Sequence, residues 1–170
     1  MNYRHLPHID SAEYYQFITF RTKESTDAFL KKIAAQNIPN SNKQMQADTY
    51  LDNSLQGAYL NDEVLTALSH FLKSKDTVLY ELFAFSIMPN HVHLLIKPHD
   101  KLSAVMQKIK GGSSKVINDL MGRKESFWAA DYYDKAVRDE QHFRVIYQYI
   151  KNNPLKLKAM EAERFFGIYE

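Results

Sequence analysis

Residues 85–96 read FSIMPNHVHLLI, and this stretch decides the fold that we expect for the chain. Pro89-Asn90 is a turn signal between two apolar runs, so it predicts two antiparallel strands joined by a tight connection. Successive side chains in a strand point to opposite faces, so His91 and His93 should stand side by side on one face. Val92 then points to the opposite face, where it can be buried.

The histidine pair is a candidate metal site. Neutral imidazoles are common ligands of divalent transition metals, and two of them on a rigid strand offer ligands at a fixed separation. The pattern alone is also compatible with a pair that has only a structural role. We expect the face that carries His91 and His93 to be open.

Composition limits the classes of protein to consider. The chain has 170 residues, of which 45% are hydrophobic and 13% aromatic, which is enough for a single domain with a real core. It carries 22 basic and 20 acidic residues, so any basic surface must be local. Cysteine is absent, which excludes disulfides and thiolate metal sites. The sequence shows no apolar leader and no apolar run of membrane-spanning length, so we expect no membrane partner and a cytoplasmic location.

The order of predicted elements indicates the architecture. We expect strands at 13–21, near 78–88, at 91–97 and within 127–137, and helices from Ser25 or Thr26 to Ala35, from 60 to 72, at 103–120 and at 139–151. This order predicts an α+β fold with a ferredoxin-like antiparallel sheet and packed helices, in which the C-terminal helix carries a tyrosine. A fold of this kind does not by itself indicate a function.

Three segments depart from regular patterns. Residues 36–57 are rich in polar side chains, and we expect either a loop or a short helical insert there. Gly111-Gly112 interrupts a helical pattern, which favours a kink or the close approach of another backbone. Pro154 disfavours helical geometry at Asn153, so the chain should bend at that point.

The C-terminal helix separates its tyrosines. Residues four apart lie about 40° from alignment on a helix, so Tyr149 and Asn153 share a face, while Tyr147 lies about 200° from Tyr149. The pattern leaves two interpretations open. Tyr149 and Asn153 are either site residues, or a core aromatic and a cap for the turn that begins at Pro154.

Several blocks of the sequence together resemble a known family. They are, in order, Met88-Pro89-Asn90-His91-Val92-His93-Leu94-Leu95, Phe127-Trp128, Asp131-Tyr132-Tyr133-Asp134, Val137-Arg138-Asp139-Glu140 and Tyr149-Ile150-Lys151-Asn152-Asn153-Pro154. Their order and spacing resemble the single-tyrosine HUH transposases, the insertion-sequence-200-like family, and most of all its REP-associated tyrosine transposases. The resemblance extends from Glu13 to Lys158, the expected core of a single HUH transposase domain spanning residues 1–170.

The resemblance implies a role for each matching residue. His91 and His93 would be ligands of a catalytic Mg²⁺ or Mn²⁺, Asn153 a third ligand, and Tyr149 the nucleophile. The substrate would be single-stranded DNA, often next to a hairpin. The reaction would leave a 5′-phosphotyrosine and a free 3′-hydroxyl, so rejoining would need no ATP.

Basic residues around the third of these helices are candidate DNA contacts, namely Lys108, Lys110, Lys115, Arg123 and Lys124. The same pattern is also typical of a solvated helix face. Three classes of function stay open: a metal-dependent single-stranded DNA endonuclease and strand-transferase, a non-catalytic single-stranded nucleic-acid-binding module, and a protein with a structural metal site. The sequence leaves open whether the protein is a homodimer.

Overall fold

The computed structural model describes residues 10–25, 32–159 and 161–169. The strands are β1 Gln16–Arg21, β2 Tyr80–Ile87, β3 His91–Pro98, β4 Tyr133–Ala136 and β5 Phe165–Gly167. The long helices are α1 Asn40–Asn53, α2 Asp62–Ser74, α3 Leu102–Met121 and α4 Glu140–Asn152. The short helix predicted from Ser25 or Thr26 to Ala35 falls largely outside the described residues.

The strands form one sheet in the order β4-β1-β3-β2-β5, and every neighbouring pair is antiparallel. Helix α2 lies between β1 and β2 in the chain, and α3 connects β3 to β4. The first four strands therefore have the ferredoxin-like arrangement. Strand β5 extends the sheet at the β2 edge. The predicted α+β class and antiparallel sheet are confirmed.

Helices α2 and α3 cover one face of the sheet. Their apolar stripes, which include Leu68 and Ile109, pack on Val92 and Leu94 of β3 in a single buried cluster. This is the apolar face that alternation along β3 predicts. It is the larger of the two cores and holds the scaffold of the sheet.

Helix α4 covers the opposite face. Ile146 and Ile150 pack there against Phe17 of β1 and Leu95 of β3 in a second cluster. Asp139 caps the start of the helix by accepting a hydrogen bond from the backbone N–H of His142 at 2.7 Å. The histidines of β3 point to this face, so the sheet places them under α4.

The close approach of another backbone, one of the two effects predicted for Gly111-Gly112, is not found among the described residues. Helix α3 continues through both glycines. A Cβ at Gly112 would lie 2.8 Å from the Phe71 ring, and one at Gly111 would meet open space. The close neighbour is therefore a side chain of α2 and not another backbone.

The bend predicted at Asn153 is also wrong. Asn153 has helical angles, φ −55° and ψ −49°, and the chain continues from α4 into a 3₁₀ turn over Asn153–Lys156. Pro154 occupies the first turn of that segment, where its missing N–H is not needed. The continued turn keeps Lys156 next to the end of α4.

The polar segment 36–57 contains a regular helix, α1. Among its described side chains, Asp48 and Leu51 are the buried ones. This helix therefore adds little to the apolar core. In the part of the chain that the structure describes, no helix combines the length and the apolar character needed to cross a membrane.

Candidate metal and nucleophile site

The two histidines lie side by side at the start of β3, as alternation predicts. Their ring centroids are 4.9 Å apart with an interplanar angle of 83°. Both residues are 0% exposed, so the expectation of an open face is wrong. Helix α4 and other elements cover the pair. The buried imidazole nitrogens therefore need partners among the polar groups around them.

Asn90 fixes the orientation of His91. Its Nδ2 donates to the carbonyls of Leu51 and Ser54, at 2.9 and 3.3 Å, which identifies the other amide atom as the oxygen. That Oδ1 is 2.7 Å from Nδ1 of His91. Because an amide oxygen only accepts, Nδ1 must carry the ring hydrogen, and Nε2 of His91 presents a lone pair.

Thr19 of β1 holds His93 in a similar way. Its Oγ1 lies 2.8 Å from Nδ1 of His93, directly across the strand pair. The Phe17 ring stacks on the imidazole with centroids 5.7 Å apart. The Nε2 atoms of His91 and His93 are both buried without a hydrogen-bond partner. Ring nitrogens held through Nδ1 and bare at Nε2 are typical of metal-ligating histidines.

Asp48 of α1 completes a cluster of potential ligands. One ligand atom from each of Asp48, His91 and His93 lies within 4.8 Å of the other two. Burial raises the pKa of the Asp48 carboxyl to about 7, and the nearby charge of Asp52 acts in the same direction. The carboxyl also accepts hydrogen bonds from Gln44 Nε2, at 2.7 Å, and from the Tyr149 hydroxyl.

Tyr149 lies over the histidine pair. Its ring centroid is 5.3 Å from that of His93, and its hydroxyl donates to Asp48. Burial raises the pKa of the Tyr149 hydroxyl above its usual value, as does the negative charge of Asp48. Tyr147 points away, and its hydroxyl donates to the Tyr169 carbonyl at 2.6 Å. The predicted separation of the two tyrosines on α4 is therefore observed.

Asn153 is buried at the end of α4. Its Nδ2 donates to the Tyr149 carbonyl at 2.9 Å, and its Oδ1 accepts from Lys156 Nζ at 3.3 Å. The structure therefore places Asn153 in the same network, with its oxygen engaged by a lysine. Its role as a metal ligand stays a prediction.

Asp52 lies one helical turn after Asp48 on α1. Its Oδ2 accepts from Lys156 Nζ at 2.7 Å, while its Oδ1 is 3.7 Å from Nε2 of His91. Burial lowers the pKa of His91 to about 3, with a further contribution from the positive charge of Lys156. The pKa of His93 is also well below its usual value, because of burial first. Both rings are therefore neutral at physiological pH.

The donor set fits a divalent cation. The lone pair on Nε2 of His91 faces the unpaired Oδ1 of Asp52, so two acceptors point at each other without a hydrogen between them. A cation held by Asp48 and by the Nε2 atoms of His91 and His93 would remove this repulsion. Two imidazoles and carboxylate oxygens suit Mn²⁺, and a phosphate that adds further oxygens would suit Mg²⁺ as well.

The predicted basic residues have different environments. Lys110 donates to the carbonyls of Ala129 and Ala130, and Arg123 pairs with Glu24 and Glu125.

The remaining three basic residues face solvent. Lys115 pairs with Asp119 at 3.5 Å, one turn along α3, while Lys108 and Lys124 are exposed. The structure does not bring any of the five to the histidine cluster, so their contact with DNA stays a prediction.

Sequence reasoning missed Asp48 and Asp52. The one available signal was their spacing, because two carboxylates four residues apart share a face if the segment is helical. The segment had no clear apolar period to establish that it is a helix.

Comparison with known proteins identifies the family. The model of the family described as "Transposase IS200 like" matches residues 48–153, and the chain belongs to this family. The resemblance inferred from the sequence is confirmed. The matched range includes all the residues of the metal cluster and Tyr149.

Two individual proteins are similar to this chain. An uncharacterized protein of Haemophilus influenzae is 29% identical in an alignment that covers 42% of this chain and 52% of the relative. The chain thus spans about half of that relative's length. A solved structure of a REP-associated tyrosine transposase bound to a REP hairpin matches with a TM-score of 0.53 and 19% identity, covering 89% of this chain and 73% of the other. That match shows a shared fold.

Proposed function

We propose that this protein is a metal-dependent single-stranded DNA endonuclease and strand-transferase that forms a 5′-phosphotyrosine through Tyr149. One observation carries the proposal. The Tyr149 hydroxyl is bonded to Asp48, and Asp48 clusters with the bare ring nitrogens of His91 and His93. A nucleophile next to a cation site is the arrangement that phosphodiester transfer requires.

The proposed ligands of Mg²⁺ or Mn²⁺ are His91, His93 and Asp48, with Asn153 as a further candidate. When bound, the cation would polarise the phosphate and neutralise charge that develops on its oxygens. Asn90 and Thr19 support the reaction by holding the imidazoles with Nε2 toward the site. Three or four protein ligands leave positions open for a substrate, unlike a closed structural site.

Asp48 would also take the proton of the nucleophile. The Tyr149 hydroxyl already donates to this carboxylate, whose two oxygens can hold a hydroxyl and a cation together. As the phenolic oxygen bonds to phosphorus, its proton passes to Asp48, and the bond from phosphorus to the 3′ oxygen breaks. The 3′ oxygen takes a proton from water. Attack by a 3′-hydroxyl on the phosphotyrosine reverses these steps and joins strands.

The proposed substrate is hairpin-containing repeat DNA with a single-stranded flank. Support comes from the family and from the likeness in fold to a REP-associated transposase bound to a REP hairpin. Exposed Lys108 and Lys124 would contact its backbone. A DNA substrate agrees with the cytoplasmic location expected from the sequence. The proposal also allows a homodimer, in which helix α4 of one copy supplies Tyr149 to the site of the other.

The proposal is tested by incubating the protein with labelled hairpin-flanked single-stranded DNA and Mg²⁺ or Mn²⁺. We expect a covalent adduct that survives denaturing electrophoresis and is absent in EDTA. Binding without any adduct would instead support the non-catalytic nucleic-acid-binding module. An adduct that forms equally well in EDTA would contradict metal dependence.

A further inference from the structure

The candidate site is closed to a substrate in this structure. His91 and His93 are 0% exposed, yet a scissile phosphate must reach the atoms that face them. If the proposed function holds, part of the cover must move when DNA binds.

Helix α1 covers the ring nitrogens together with Tyr149 of α4, and α1 is lightly packed. Leu51 is its one buried apolar side chain among those described, and Asp48 is its other buried residue. Its contacts with the rest of the site are polar: Asp48 with Tyr149, Asp52 with Lys156, and the Leu51 carbonyl with Asn90. A side chain held by polar contacts exchanges them for new polar partners at lower cost than an apolar side chain leaves a buried core.

The Asp52 carboxylate bridges a cationic side chain and the histidine pair. One oxygen accepts from Lys156 Nζ at 2.7 Å, and the other lies 3.7 Å from Nε2 of His91. Asp52 is 13% exposed and Lys156 is 48% exposed, so the lysine can be reached from solvent while the acid is mostly covered. An anionic group with two oxygens thus spans the gap between an ammonium and the candidate cation site.

Lys156 also touches the nucleophile's helix. Its Nζ lies 5.8 Å from the centroid of the Tyr149 ring and 3.3 Å from Oδ1 of Asn153. An ammonium at this position is a point charge suited to a phosphate oxygen. It is close enough to the tyrosine to hold a phosphate that the hydroxyl is about to attack.

We propose that Lys156 binds the scissile phosphate, and that the Asp52 carboxylate occupies the place of that phosphate until DNA displaces this side chain, while Asp48 of the same helix stays at the cation site. The carboxylate makes the two contacts that the non-bridging oxygens of a phosphodiester would make, one to the ammonium and one toward the histidines. Asp52 is therefore an internal competitor of the substrate. This inference rests on the proposed function for its substrate but concerns binding and not cleavage.

The test measures single-stranded DNA binding in EDTA, where no cleavage is expected. Asp52→Asn keeps the shape of the side chain and removes its charge, so we expect affinity to rise at least threefold. Lys156→Gln should lower affinity and reduce the salt dependence of binding by about 0.7 in the slope of log K against log salt, the value for one phosphate contact on a single strand. In the double variant, Asp52→Asn should give no gain, because its benefit requires Lys156.

The matched control is Glu140→Gln. Glu140 forms a similar ion pair with Arg144, at 2.6 Å, on the exposed surface of α4. Glu140→Gln removes one negative charge, as Asp52→Asn does, but at a position away from the site. It should change the affinity for single-stranded DNA by less than twofold. An equal gain from Glu140→Gln and Asp52→Asn would show a general charge effect and overturn the proposal, as would a Lys156→Gln variant with unchanged affinity and salt slope.

Two further measurements keep the result interpretable. Thermal melting checks that each variant is folded, and Lys156→Gln alters a half-exposed side chain, so it tests the proposal even if Asp52→Asn unfolds. The adduct assay on the unmodified protein is run in parallel. If the adduct forms but neither variant changes DNA binding, the proposal that Asp52 competes with the phosphate is rejected, while the proposed nuclease activity is supported. The expected binding changes without any adduct support Lys156 as a phosphate contact and reject the nuclease.

Discussion

The Tyr149 hydroxyl donates a hydrogen bond to the Asp48 carboxylate, across 101 positions of the sequence. This bond joins helix α4, which carries the proposed nucleophile, to helix α1, which carries a potential metal ligand. The nucleophile and the cation cluster are therefore parts of one network.

Replacing Tyr149 by Phe should abolish the covalent adduct and leave DNA binding intact. The substitution removes one oxygen and keeps the ring that packs on His93 and Phe17. Adduct formation is measured by denaturing electrophoresis and binding by fluorescence anisotropy. An adduct that persists in Tyr149→Phe would mean that another residue is the nucleophile.

Tyr147→Phe is the control on the same helix, and the structure changes what it should do. The Tyr147 hydroxyl donates to the Tyr169 carbonyl and accepts from the Tyr169 N–H at 2.9 Å. We expect the adduct to be retained and the free energy of unfolding to fall by about 1 kcal/mol. Urea denaturation measures the loss.

Alanine at His91 should remove stabilisation by Mn²⁺. In the unmodified protein, Mn²⁺ at 100 times its dissociation constant should add about 2.7 kcal/mol to the free energy of unfolding. The variant should lose this increment and should also be about 1–3 kcal/mol less stable without metal, since Asn90 Oδ1 is left without its partner. The same Mn²⁺-dependent increment in both proteins would exclude His91 as a ligand.

Metal affinity should rise with pH up to about 7 and then level off. The pKa of Asp48 is about 7, so below that value a cation must displace its proton, and affinity should increase about tenfold per pH unit. The histidines add little to this dependence, because burial lowers the pKa of both rings, that of His91 to about 3. Calorimetric titration with Mn²⁺ at pH 6, 7 and 8 gives the slope.

Asp48→Asn is the control for that titration. It should bind Mn²⁺ more weakly at pH 8 and with little change between pH 6 and 7. If the variant keeps the slope of the unmodified protein, the titrating group is not Asp48.

The basic residues should divide into two groups. Lys108→Gln and Lys124→Gln should each weaken DNA binding and its salt dependence without loss of stability, because both side chains are exposed. Lys110→Gln should instead lower the free energy of unfolding by about 1–3 kcal/mol, since the ammonium holds the carbonyls of Ala129 and Ala130. Salt titrations and thermal melts distinguish the groups.

The sheet and most of the helices were predictable because their signals are local. Alternation along β3 fixed the faces of His91 and Val92, and helical spacing separated Tyr147 from Tyr149. The position of Asp48 was not predictable in this way. Helix α1 has no strong apolar stripe, so neither its helical state nor its place over the sheet follows from periodicity.

Burial and pairing were also beyond the sequence. The histidines look exposed in a polar strand face, yet α1 and α4 cover them. Arg123 looks available for DNA, yet it pairs with Glu24, which lies 99 positions away. Contacts of this kind depend on which loops meet after folding, and residue spacing carries no information about them.

The side-chain amide of Asn90 couples the attachment of helix α1 to the tautomer of His91. Its Nδ2 holds the carbonyls at the end of α1, and its Oδ1 holds the hydrogen of His91 Nδ1. If α1 leaves the site, the amide loses the partners that fix its orientation, and the tautomer of His91 is no longer enforced. The two equilibria are coupled, and thermodynamic coupling is reciprocal. A metal ion that stabilises the tautomer of His91 with a free Nε2 should therefore also stabilise the attachment of α1 to the site. A substitution of Asn90, which supplies no ligand atom, should therefore change metal affinity and the attachment of α1 together.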